Sequence, residues 1–204
     1  MTNQALIIFT RVPELGKCKT RLAATIGDQA ALEIYKFLIK HTAKITSEAP
    51  LDCYVYYYPE VAHNDLWDDT RFNKCVQVGT DLGQKMQHAF QEVFNLGYSQ
   101  VAIIGSDLYD LSTADLTLGF EKLQDHDVVL GPAQDGGYYF LGMNKLLLEP
   151  FEPMAWGTDT VRKTTLERLK NYTVGLLSVR NDIDYYHDIK NIPEFEPFIK
   201  HLNL

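Results

Sequence analysis

The chain is poor in cysteine, short of positive charge and without a long apolar run. Its three cysteines, Cys18, Cys53 and Cys75, are odd in number and lack metal-ligand spacing. That argues against a disulfide scaffold or a zinc module and suits a reducing compartment. No stretch approaches the ~20 apolar residues of a membrane helix. The opening run from Ala5 to Phe9 is too short, and lacks the basic leader, for a secretory signal. The expectation is a cytoplasmic protein with no membrane span. Nineteen Lys and Arg against 27 Asp and Glu give a net charge of −8, which argues against a nucleic-acid surface. A local basic loop could still hold a nucleotide. No repeat, low-complexity tract or interdomain linker interrupts the 204 residues, so a single domain over 1–204 is expected.

What the chain does have is centred on residues 101–111. Val101 to Ile104 read as a short buried strand, rich in β-branched residues. Gly105 then allows a turn, and Ser106, Asp107 and Asp110 place oxygen atoms just past the strand's carboxyl end. Ligands bind at that edge in open α/β sheets. Carboxylates there suit a hard divalent cation, Mg²⁺ or Mn²⁺. The competing expectation is that Asp107 or Asp110 caps a helix opening at Ser112.

A second cluster follows the first strand, Ala5 to Phe9. Thr10 opens a loop broken by Pro13 and Gly16, with cations at Lys17, Lys19 and Arg21. Basic residues and free backbone N–H groups after a first strand make a phosphate site; a solvated basic loop is the plainer alternative. A P-loop fits poorly, because Arg11 stands where its first glycine belongs and Cys18 follows the lysine.

Apolar spacing predicts helices over 29–46, 82–94, 112–123 and 161–169, and strands over 51–58, 74–78, 127–131, 138–141 and 173–177. The tyrosines of 51–58 read as packing. Trp67 carries no chemical reading, and His41, His63 and His201 read as isolated surface residues. Gly79, Asp81 and Gly83 suggest a turn that touches a base or ribose, or a turn in which Asp81 caps a helix. Asp135, Gly136 and Gly137 offer a carboxylate, close backbone approach and a hairpin signal. Trp156 either stacks on an acceptor or plugs the core. Asp182 and Asp184 offer further carboxylates to an ion at Asp107, or cap a final short helix.

Strands alternating with helices imply a three-layer α/β/α sandwich with a mostly parallel sheet. As an ordered set, the segments 9–22, 79–83, 105–111, 131–139, 156–158 and 182–184 resemble a bacterial family of small glycosyltransferase-like proteins. That family has the GT-A (nucleotide-diphospho-sugar transferase) fold and is similar to 2-phospho-L-lactate guanylyltransferases. The resemblance implies a nucleotide held by Arg11, Lys17, Lys19, Arg21 and Ser106, with Gly79, Asp81 and Gly83 near the base or ribose. It implies Asp107 and Asp184 as metal ligands, although Asp107 stands in Gly-Ser-Asp rather than a full Asp-x-Asp. Asp135, Gly136, Gly137 and Trp156 would face the acceptor.

The expected activity is a Mg²⁺- or Mn²⁺-dependent transfer from a nucleotide sugar to a small-molecule acceptor, with Asp107 and Asp135 as catalytic residues and Asp135 as general base. The alternative is nucleotidyl transfer from an NTP to a phosphorylated small molecule. A third reading, a nucleotide-binding protein without catalysis, predicts affinity without turnover. A homodimer is compatible with all three.

Overall fold

A computed structural model describes residues 3–200 and 202. Seven strands form one sheet: β1 (Gln4–Arg11), β2 (Asp52–Tyr58), β3 (Phe72–Val76), β4 (Gln100–Gly105), β5 (Val128–Pro132), β6 (Tyr138–Met143) and β7 (Val174–Leu176). Their order across the sheet is β3-β2-β1-β4-β6-β5-β7. All neighbours are parallel except β6, which runs antiparallel to both β4 and β5. The sheet is therefore mostly parallel.

The central strands are apolar throughout because both of their faces are covered. Ala5, Leu6, Ile7 and Ile8 of β1 are all fully buried. Leu6 and Ile8 pack toward α2 (Asp28–Ser47) and α4 (Thr113–Lys122), meeting Tyr35, Ile39, Leu116 and Phe120. Ala5 and Ile7 face the opposite way, toward Met86, Phe90 and Val93 of α3 (Leu82–Asn95). This alternation makes the three layers. α5 (Val161–Arg168) lies beyond the β6 turn, and α6 (Tyr186–Ile189) and α7 (Glu196–Ile199) close the carboxyl end. Phe195 joins that end to Ile34 and Leu38 of α2.

The expected elements are present, with several corrections. β1 continues through Thr10 and Arg11, because Arg11 still pairs with Tyr58 of β2. A short helix absent from the expectation, α1 (Thr20–Ile26), follows the basic loop and buries Leu22 and Ile26. β3 starts and ends two residues earlier than expected, at 72–76. Neither Asp107 nor Asp110 caps α4: Ser112 does, accepting from the Asp115 N–H while the Asp115 carboxylate accepts in return. Asp182 and Asp184 do not cap α6; the backbone N–H groups of Asp184 and Tyr185 donate to Asp188. Asp81 does cap α3, accepting from the Gln84 N–H at 2.8 Å.

The tyrosine strand is packing at Tyr56 and Tyr57, each 1% exposed, whereas Tyr58 is open. Trp67 is core, packed edge-on against Phe72. His41 is half-buried and not isolated: its Nε2 lies 2.9 Å from the Leu111 carbonyl and its ring against Tyr109. His63 is exposed, and His201 lies outside the described residues. All three cysteines are free thiols. Among the described residues, no helix is long and apolar enough to cross a membrane.

Candidate active site

The carboxyl ends of β1 and β4 and the amino end of β6 open onto one cleft. Lys19 lies at its centre, in the left-handed region (φ 49°, ψ 45°) at the start of α1. Its side chain is only 5% exposed. Lys19 Nζ donates to Asp107 Oδ2 at 2.8 Å and to Asp184 Oδ1 at 3.1 Å. Arg21 donates to the other oxygen of Asp184 at 2.9 Å. Residues 88 and 165 positions away from Lys19 thus meet on one ammonium group. Burial alone would lower the Lys19 pKa, and the attraction of Asp107 and Asp184 more than reverses it. The same lysine holds the Asp107 carboxyl below its usual range, against the opposing effect of burial. Asp107 itself stays 41% exposed, so the pair is open to incoming groups.

Three hollows share these walls. A basic one is lined by Arg11, Lys17, Lys19 and Arg21, together with Asp107 and Asp184. Beside it lies a second, lined by Thr10, Arg11, Tyr58, Gln77, Lys85 and Asp107. There the Lys85 ammonium sits 3.9 Å from the centre of the Tyr58 ring, and the Arg11 guanidinium 5.2 Å from it. Tyr58, Gln77 and Lys85 were not among the expected site residues. The pairing of β2 beside β1 brings Tyr58 to Arg11, Gln77 follows β3 and donates to the Thr10 carbonyl, and Lys85 comes from α3.

The third hollow is a mostly apolar cavity of about 240 Å³, whose walls include Phe9, Met86, Tyr138, Trp156, Asp135 and Asp182. Gly83 of α3 permits the close approach of Trp156, since a Cβ there would fall 2.6 Å from the indole ring. The turn that carries Asp135 is held by Gly136, at φ +91°, whose carbonyl accepts from the Arg162 N–H at 2.9 Å. A side chain at Gly136 would run into the Asp159 backbone. Gly137 donates its N–H to Asp135 Oδ1 at 2.8 Å.

Asp182 stands between Asp135 and the Lys19 cluster. Its carboxyl is pushed up to about 7, first by burial and then by the neighbouring Asp107 and Asp135 carboxylates. Arg180 anchors this segment, donating to Asp115 at 2.6 Å while its backbone exchanges hydrogen bonds with Pro132 and Gln134. Asp110 lies 3.9 Å from the same guanidinium, on the structural side of that network.

Asp107, Asp184, Lys19, Arg21, Arg11 and Lys17 therefore share one basic hollow, and Asp135, Gly137 and Trp156 share the apolar cavity beside it. Lys17 is held at the surface by Glu14. Ser106 is buried at the wall of the second hollow, where it donates to Thr10. The carboxylate of Asp81 is occupied at the helix cap. Gly79 is exposed, on the loop ahead of α3.

Asp107 and Asp184 are hard oxygen donors of the kind a divalent ion prefers, and their two facing oxygens already share one cation, Lys19 Nζ. The donor set thus fits such an ion, in competition with the lysine. Among the described residues, no group of three or more carboxylate, imidazole or thiol side chains is gathered for a metal.

Sheet order, layers and cleft together define a nucleotide-diphospho-sugar transferase-like fold. A structure from Desulfovibrio desulfuricans G20, provisionally assigned as a nucleotide-diphospho-sugar transferase, superimposes with a TM-score of 0.88 at 28% identity, covering 98% of this chain and 95% of that one. By residues 41–158, the chain belongs to the family described as "Uncharacterized protein conserved in bacteria (DUF2064)". More distant structures share the fold alone. The 4-diphosphocytidyl-2C-methyl-D-erythritol synthase of Anaerococcus prevotii DSM 20548 has a TM-score of 0.60 at 9% identity, covering 97% of this chain and 96% of that one. Rv0371c of Mycobacterium tuberculosis H37Rv, in complex with manganese, has a TM-score of 0.55 at 12% identity, covering 95% and 99%. No curated protein matches the sequence.

Proposed function

We propose that this chain transfers a group from a nucleotide-activated donor, a nucleotide sugar, to a small-molecule acceptor with the help of a divalent cation. The observation that carries this reading is the meeting of Lys19 and Arg21 with Asp107 and Asp184 at the carboxyl edge of β1 and β4, beside an acceptor-sized cavity. The likeness to the Desulfovibrio transferase supports the choice of donor.

Lys17, Lys19 and Arg21 would bind the donor diphosphate in the basic hollow and offset the negative charge that grows as it leaves. A Mg²⁺ or Mn²⁺ ion on Asp107 and Asp184 would supply further neutralisation of that diphosphate. Lys19 now holds the oxygens such an ion would use, so binding of donor phosphates by Lys19 would leave Asp107 and Asp184 to the ion. The base and ribose would occupy the hollow beside Tyr58, Gln77 and Lys85. Asp135, on the cavity wall, would take the proton of the acceptor hydroxyl.

The second reading, nucleotidyl transfer, is favoured by one observation: the basic hollow carries four cations, enough for a triphosphate. Phosphorus NMR on turnover mixtures separates the two. Release of a nucleoside diphosphate supports glycosyl transfer, and release of pyrophosphate from an NTP supports the alternative.

A further inference from the structure

The cavity beside Trp156 differs in charge from the hollow it adjoins. The described residues that line it include no Lys, Arg or His, and its only ionisable acids are Asp135 and Asp182. The nearby cations are engaged elsewhere: Lys19 and Arg21 with Asp107 and Asp184, Arg180 with Asp115, and Arg162 with the Ala133 carbonyl. A phosphate or carboxylate placed in this cavity would lose its hydration, face the Asp135 carboxylate and find no cationic partner. The remaining wall is built for an apolar body, from Phe9, Leu82, Met86, Tyr138 and Val161 around Trp156. Trp156 Nε1 is buried without a hydrogen-bond partner, on an indole edge that lies against Gly83 of α3.

We infer that the acceptor is a small, largely apolar alcohol without an anionic group, either neutral or cationic. A cationic acceptor would also gain from the aromatic faces of Trp156 and Tyr138 beside the Asp135 carboxylate. This inference rests on the transferase reading for the cavity's role as acceptor site. It places the anionic substrate groups entirely on the donor side of Asp107.

Four probes that share a phenyl ring test it by saturation-transfer NMR at pH 8: benzyl alcohol, benzyltrimethylammonium, benzoate and phenyl phosphate. The alcohol and the ammonium compound should bind at least about tenfold more tightly than the two anions. Binding should be lost in Trp156→Ala and in Leu82→Trp. The second variant fills the cavity from an exposed position, so it keeps the test sound if the first misfolds. Asp135→Asn should narrow the gap between alcohol and anions. Cavity-dependent binding of benzoate or phenyl phosphate as tight as that of benzyl alcohol overturns the inference, as does failure of all four to bind. Nucleotide affinity, measured on the same samples, is independent. If nucleotides bind but the anions win, only the acceptor class is wrong. If the probe pattern holds while no nucleotide binds, the transferase reading fails instead.

Discussion

Lys19 donates to Asp107 at 2.8 Å across 88 residues of sequence, and the same ammonium reaches Asp184 at 3.1 Å. One buried cation thus closes the pair of carboxylates that a divalent ion would need. The strained left-handed backbone at Lys19 is where the basic loop turns into α1, which directs the side chain toward the sheet edge.

Replacing Lys19 with Met removes this counter-ion and keeps most of the side chain's bulk. Asp107 and Asp184 are then left facing each other, and metal-free stability should fall by about 1–3 kcal/mol, toward the lower end because Asp107 is open to water. Mn²⁺ affinity in the absence of nucleotide should rise, read as loss of the free-ion EPR signal on titration. Equal Mn²⁺ binding by wild type and Lys19→Met would show that the lysine does not compete for these oxygens.

Asp115 gives a pH dependence of known sign. Hydrogen bonds from Ser112 and Arg180 hold its carboxyl below the usual range despite the opposing effect of burial. A depressed carboxyl contributes stability above its unfolded value, near 3.9, and loses it as pH falls through the lower folded value. Asp115→Asn should therefore cost about 1.5–3 kcal/mol at pH 6 in urea unfolding, and the gap to wild type should shrink below about pH 4. A gap that widens on acidification would contradict the geometry.

Gly136→Ala tests the turn that carries Asp135. The positive φ and the Asp159 backbone both oppose a methyl group, so the variant should lose more than about 1 kcal/mol in thermal or urea unfolding. By contrast, Gly157→Ala has a similar φ of +77° but nothing within 4 Å, and should cost less. Equal costs would mean that backbone strain alone matters at Gly136.

Much of the layered fold was legible from periodicity. Buried runs such as residues 101–104 and amphipathic helices such as 29–46 lie close to where they were expected. Asp107 stood out because a carboxylate directly after a buried strand lands at the sheet's binding edge. What sequence could not convey was pairing across long separations. Lys19 read as one of three phosphate-binding cations, with no sign that Asp107 and Asp184 would converge on it. Asp182 read as a twin of Asp184 until the fold placed it between Asp135 and Asp107. Lys85 and Tyr58 belong to different elements, and only the parallel pairing of β1 with β2 brings Tyr58 beside Arg11. α1 was missed because seven residues are too few for a clear helical period, and Ser112 took the cap expected from Asp107 or Asp110.

The most direct test is calorimetric and thermal-shift titration of nucleoside diphosphates, triphosphates and nucleotide sugars, with and without Mn²⁺, on wild type and Asp107→Ala. A ligand at about 100 times its Kd adds roughly 2.7 kcal/mol to stability, well within detection. The predicted result is stabilisation by a nucleotide sugar or diphosphate that requires both Mn²⁺ and Asp107. Stabilisation unchanged by Asp107→Ala, or no binding by any nucleotide, would contradict a nucleotide–metal site at the Lys19–Asp107–Asp184 cluster.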